Sequence, residues 1–300
     1  MNCLEKESKQ GVNMNEYVIL TDATSDLSAE DCRKYGIKVL GMNVKIGEEE
    51  FEFHPDTVFD VKGFYEKLKQ FPNATTSQVS IYRFHHCFEA LVKEGKDILY
   101  IGFASALSGT FQNAWVARNE VLEAYPQAKI VVVDSLSATY GEALLVVKTA
   151  QMKQKGATLE EASRYADQLR HKIAHWFTVD DLQHLARGGR LSNAQALLGM
   201  LMQIKPILRC DEEGRLVPVD KVRGRKTAMR RLTENFRLTC DDPSLVSVVH
   251  CDAYDEACQL KAMLEEENKE CDVLIRDIGP IIGTHSGPQT LGVVFIARQR

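Results

Sequence analysis

Hydrophobic positions follow two alternating rhythms through the first half of the chain. Short apolar runs stand at 17–20 (YVIL), 37–46 (IKVLGMNVKI), 97–103 (DILYIGF) and 129–135 (KIVVVDS). Between them the apolar residues recur at helical spacing: after the first run, near 58–70, after the TTSQVS stretch, after Ser108, and from Ala138 to about Lys155. Strands alternating with helices of this length predict a parallel sheet covered by helices on both faces. The second half has a different order. A strand at 173–179 precedes two helical pieces broken by Gly188-Gly189. A hairpin over 205–224 turns at Glu213-Gly214, and a helix spans 226–238. A strand (245–251), a helix (255–267) and two further strands (272–278, 291–298) complete it. That mixture predicts an α+β unit with a mixed sheet. The glycine between two helices in KQKGATLEE marks a boundary. The expected organisation is therefore a loose tail over 1–14, an N-terminal three-layer α/β/α domain over 15–157 and a C-terminal α+β domain over 158–300.

Hydroxyl residues collect where strands hand over to helices. The first strand runs into LTDATSDLS, the NATTSQVS stretch precedes a helix, and DILYIGF runs into ASALSGT. Open α/β sheets bind ligands at the carboxyl edge of their strands. Free N–H groups at a helix N-terminus and the helix dipole favour an anion there. Ser108 and Thr110 stand at such a junction, and Gly109 allows close approach of a ligand to the backbone. Each hydroxyl also has a plain structural reading as a helix cap: Ser25, Asp26 or Ser28 in the first loop, Ser77 or Ser80 in the second, Ser108 in the third. Thr76 can turn its hydroxyl into a cleft, though capping alone is the commoner role for such a stretch. Gly141, inside a helix, fits close packing.

Composition narrows the chemistry. A net charge of −5 over 300 residues does not favour a nucleic-acid partner. No apolar run reaches the roughly 18 residues of a membrane span, and the polar first 14 residues lack the apolar middle of a signal peptide. A cytoplasmic protein is expected. The eight cysteines form no CxxC pair and read as buried thiols, and His85-His86-Cys87 lacks the second half of a zinc site. No lysine follows Gly109 as a phosphate loop requires, and no G-x-G-x-x-G run is present. Ser108, His285 and Asp22 offer the residue types of a hydrolase triad, but Ser108 has no G-x-S-x-G elbow.

Eight motifs in order identify a family resemblance: TDATSDLS, ATTSQVS, SALSGTFQNA, VVDSLSATYG, DLQHLARGGRLSNAQALLG, IKPIL, KVRGRKTA and THSGPQTLGV. From about Tyr17 to Ala297 the chain resembles the DegV family, whose members are similar to the fatty-acid-binding subunit of bacterial fatty acid kinase. The resemblance implies a non-catalytic carrier without a cofactor. Such a carrier buries the tail of one long-chain fatty acid and presents the carboxylate to a separate kinase subunit, which makes the acyl phosphate. It places the carboxylate between the hydroxyls of Thr76 and Ser108. Ser77, Gly109, Thr110, Arg223 and His285 fall around the head-group end, and the tail runs past SNAQALLGMLM. Ala23, Val79 and Ala104 depart from the family's usual Ser, Pro and Ser, which puts the finer head-group network in question. A phosphotransferase or hydrolase using the same cleft, or a lipid-responsive sensor, are the rival readings. Arg187 and Arg190 read equally as solvated or partner-facing.

Overall fold

A computed structural model describes residues 16–191 and 203–300. The expected tail and the SNAQALLGMLM stretch expected to run along the acyl chain lie outside the described residues. The α/β class holds, with a parallel-sheet N-terminal domain and a mixed-sheet C-terminal domain.

The first sheet has the order β2-β1-β6-β7, all parallel, from β1 (Tyr17–Asp22), β2 (Ile37–Leu40), β6 (Asp97–Gly102) and β7 (Ile130–Asp134). Every residue of β6 is buried, as expected for a central strand covered on both faces. On one face α3 (Ile81–Lys93) and α4 (Thr110–Ala124) pack together. On the other lie α1 (Ala29–Tyr35), α5 (Thr139–Gln154) and α6 (Leu159–Leu169). Ser28 caps α1, accepting from Asp31 N at 3.0 Å, and Ser80 caps α3. These two serines therefore carry the structural role foreseen for them.

Gly41 divides the apolar run at 37–46. Its first part is β2, while β3 (Met42–Ile46) leaves the main sheet. It joins β4 (Glu49–Phe53) and β5 (Thr75–Ser77) in a small antiparallel sheet of order β4-β3-β5. The helix α2 (Val61–Gln70) follows β4, and its Tyr65 donates to Ile278 O at 2.8 Å, tying this corner to the second half of the chain.

The second sheet has the order β10-β9-β8-β13-β11-β12 and is antiparallel except for the β11–β12 pair. Its strands are β8 (Ile173–Thr178), β9 (Ile204–Cys210), β10 (Leu216–Arg223), β11 (Cys240–His250), β12 (Val273–Asp277) and β13 (Leu291–Ala297). The short α7 (Gln183–Arg187) follows β8 and ends at the expected glycine pair, with Gly189 at φ +69°. The hairpin turns with Gly214 at φ +81°. Helices α8 (Arg225–Thr239) and α9 (Tyr254–Glu267) cover one face. The alternation of β13 explains what covers the other. Val293, Phe295 and Ala297 enter the core beneath α8, whereas Val294 and Ile296 join the core of the first domain. α5 contacts β8, β11 and β13, so a continuous apolar core crosses between the two sheets.

Two details depart from the sequence reading. α6, allotted by sequence to the second domain, packs on α5, β6 and β7, so the first domain's packing runs to Leu169. Gly156, at φ +92°, turns an αα-hairpin there instead of linking domains. Of the seven described cysteines only Cys210, Cys251 and Cys271 are buried, the others being partly exposed; all are free thiols. Gly141 does serve close packing: a Cβ there would stand 1.8 Å from His175 Nε2.

Candidate ligand-binding site

The carboxyl ends of β1, β6 and β7 carry three loops, and two buried aspartates fix them. Asp22 accepts from Tyr100 OH at 2.6 Å and from Phe103 N at 3.2 Å. Asp134 accepts from Leu136 N at 2.9 Å and from Ser105 N at 3.2 Å. The backbone from Phe103 onward is thus held at both sides before it reaches Ser108. There Ser108 Oγ accepts from Thr110 N at 3.2 Å and lies 3.0 Å from Thr110 Oγ1. Gly109 is the residue that starts α4. A Cβ on it would sit 2.3 Å from Gln78 Oε1, so the Ser108 loop and the segment after β5 touch at this point.

From the other half of the chain comes α10 (Pro280–Ser286), which packs against α2, α7, β3 and β5. It places His285 Nε2 at 2.8 Å from Thr76 Oγ1. Burial, with Arg190 and His184 adding positive surroundings, lowers the His285 pKa to about 4, so the ring is neutral near pH 7. Arg190 crosses between the halves, donating from Nε to Leu107 O at 3.1 Å.

Between the two sheets lies a cavity of about 370 Å³. The first half lines it with Met42, Thr76–Gln78, Phe103, Leu107–Gly109, Ala138 and Thr139. The second supplies β8 and β13 side chains, Leu185, Arg190, Cys210, Leu216 and Val249, and Ile278, Ile281, Ile282 and His285 from in and around α10. The apolar walls are buried: Phe103 is 8 % exposed, Leu107 7 %, Ile281 2 % and Val294 2 %. The polar end is wetter. Thr76, Ser108 and His285 are half-buried, and Ser77, Gln78 and Gly109 are exposed.

Thr76, Ser77, Ser108, Gly109 and His285 therefore share one cavity. Thr110 does not line it; it is fully buried and supports Ser108 from behind. Arg223 does not reach it. It is exposed at the far end of β10 and pairs with Gln203 Oε1 at 2.8 Å. The strand's own alternation carries that information, since Val219, Lys221 and Arg223 share an exposed face. Arg190 supplies the positive charge instead; Gln78 on the cavity lining and His184 beside His285 are further neighbours that the sequence reading had not assigned. Arg190 was legible only as an ambiguous arginine in ARGGRLS; His184 carried no signal. No triad assembles: His285 meets Thr76, while Asp22 is engaged with Tyr100, Thr24 and the backbone. Among the described residues no cluster of three or more histidines, cysteines and carboxylates fits a metal, and no helix is long and apolar enough to cross a membrane.

The chain matches the model of the DegV family, a family of uncharacterised proteins, over residues 16–298. It belongs to the DegV family. Among its relatives is a DegV domain-containing protein of Clostridium perfringens, 38% identical over 285 residues that cover 94% of this chain and 98% of that one. The fold matches the crystal structure of DegV, a fatty acid binding protein from Bacillus subtilis, with a TM-score of 0.82 and 29% identity, covering 95% of this chain and 100% of the other. A fatty acid binding DegV family protein from Streptococcus agalactiae matches with a TM-score of 0.84 and 27% identity over 95% and 100% of the two chains. The interdomain cavity of this DegV protein thus sits in a fold whose relatives include proteins described as binding fatty acids.

Proposed function

We propose that this DegV protein binds one long-chain fatty acid in the interdomain cavity and presents its carboxylate to a separate kinase subunit in the cytoplasm. The observation that carries this reading is the polarity gradient of the cavity. Its walls are buried and mostly apolar, interrupted by Thr139, His175, Ser286 and Thr290, while one half-exposed end gathers Thr76, Ser108, Arg190 and His285. Burying an acyl chain contributes about 0.8 kcal/mol per methylene, on the order of 10 kcal/mol for a long chain, against association costs of similar order. The tail supplies affinity and the polar end supplies orientation.

Hydrogen counting supports the choice of hydroxyls. Ser108 Oγ accepts from Thr110 N and lies 3.0 Å from Thr110 Oγ1; with Thr110 Oγ1 as the donor of that pair, the proton of Ser108 is left for a ligand oxygen. With the neutral His285 ring protonated on Nε2 as the donor to Thr76 Oγ1, the Thr76 proton is left equally available. Two hydroxyl donors beside a guanidinium match a carboxylate. The exposed Ser77, Gln78 and Gly109 put that end within reach of a partner protein. The carrier role rests on the resemblance together with the lack of any phosphate-loop sequence.

The test has two arms. A fatty acid should compete for the cavity far better than its methyl ester, since only the acid carries a full charge. The isolated chain with ATP should make no acyl phosphate, and adding a fatty acid kinase subunit should give product. Equal competition by acid and ester would refute the carboxylate site. Acyl phosphate made by the chain alone would refute the carrier role.

A further inference from the structure

Behind the Ser108 loop lies a chain of buried oxygens that do not line the cavity. Glu142, in the first turn of α5, is fully buried. Its Oε1 lies 2.8 Å from Thr21 Oγ1 and its Oε2 lies 2.7 Å from Thr24 Oγ1. The same Thr24 Oγ1 is 2.5 Å from Asp22 Oδ1. A threonine hydroxyl has one proton to donate, yet here it stands between two carboxyl oxygens. If Thr24 donates to one, the other must bring a proton of its own.

The donors around each carboxyl decide which. Asp22 receives Thr24 N at 3.0 Å, Phe103 N at 3.2 Å and Tyr100 OH at 2.6 Å, an environment that satisfies an anion. Among the described residues no backbone N–H donates to Glu142. The largest influences on its charge are the desolvating core, Asp22 and Asp26, which oppose ionisation, and the hydroxyls of Thr21 and Thr24, which favour it; no cation is among them. Tyr100 faces Asp22 from β6, and Asp134 adds negative potential there. A carboxylate buried without an ion-pair partner among the described residues is strongly disfavoured, so the neutral acid is the stable form.

We propose that Glu142 is a permanently protonated carboxylic acid that donates to Thr24, which in turn donates to an anionic Asp22. Glu142 is then a positioning residue. Through Thr24 it holds Asp22, and Asp22 holds Phe103 N, where the backbone enters the Ser108 loop. The hydroxyl of Thr21 completes the acid by donating to its other oxygen. In Glu142→Gln the amide nitrogen replaces the acidic O–H as donor to Thr24, and the amide oxygen accepts from Thr21.

Infrared difference spectroscopy on the full chain tests the assignment directly and does not rest on the fatty-acid reading. At pH 9 the wild type should show the carbonyl band of a protonated carboxylic acid, shifted downward in D2O. Glu142→Gln should remove that band and Asp26→Asn should not. Fatty-acid titration, which does rest on that reading, adds the positioning role. Glu142→Ala should weaken binding at least fivefold and Glu142→Gln should restore it to within twofold of wild type. Absence of a carboxylic-acid band lost in Glu142→Gln overturns the protonation assignment even if Glu142→Ala fails to fold. A band that is present, with Glu142→Gln binding as poorly as Glu142→Ala or ten times worse than wild type, overturns the positioning role.

Discussion

Replacing Ser108 by alanine separates the ligand role of its hydroxyl from its structural one. Two contacts disappear in the free protein: acceptance from Thr110 N at 3.2 Å and the 3.0 Å contact with Thr110 Oγ1. Loss of a cap-like bond costs about 1 kcal/mol of stability. Gly109 starts α4 whichever residue stands at 108, so the helix itself persists. In the complex, a hydrogen bond to a charged carboxylate is worth roughly 1.5–3 kcal/mol, or roughly a 10- to 150-fold loss of affinity. Delipidated wild type, Ser108→Ala, Thr76→Ala and the double variant should be titrated with a fluorescent fatty acid, then with acid and methyl ester as competitors, with thermal melts alongside. The acid should weaken by the stated factor and the ester by much less. The two substitutions should couple by at least about 0.5 kcal/mol, because both hydroxyls serve one carboxylate. A melt shifted downward with acid affinity unchanged, or equal losses for acid and ester, would refute the reasoning and leave Ser108 a structural hydroxyl.

Two further outcomes concern the scaffold. Gly141→Ala puts a methyl 1.8 Å from His175 Nε2, where β8 and α5 meet, and should cost about 1–3 kcal/mol in a denaturant melt; an unchanged midpoint would contradict the packing. The folded His285 pKa is lowered to about 4 against an unfolded value of about 6.5, so the unfolded chain takes up the proton first. Stability from this group is fully present above about pH 6.5 and is lost as pH falls toward 4, so Tm between pH 7 and 4.5 should drop less in His285→Gln than in wild type.

Much of the fold was legible because apolar spacing is a direct record of burial. The apolar run in LGVVFIAR gives β13 as a strand, and the structure shows both its faces covered. The unbroken DILYIGF gives a central parallel strand. Less legible was anything decided by where the chain goes after a glycine. Gly41 moves the second half of an apolar run into another sheet, and Gly156 turns a hairpin of helices within a domain. Both read as the same local punctuation. α10 was missed because THSGP has too few apolar residues to show a period, although it delivers His285. Thr76 and Ser108 both line the cavity, but their position at strand–helix junctions read equally as capping, and only the resemblance put them together. The arginine was not legible: Arg223 and Arg190 are chemically alike in sequence, and only the strand alternation of one and the interdomain crossing of the other tell them apart.

The central claim is that the interdomain cavity holds one acyl chain, and native mass spectrometry of the purified full-length protein, with organic extraction and identification of what it releases, measures that most directly. The account predicts a mass increment of a single long-chain fatty acid per polypeptide, lost on delipidation and regained on adding the free acid. A protein that stays at its bare mass in excess fatty acid, or that releases a nucleotide in place of a lipid, would contradict it.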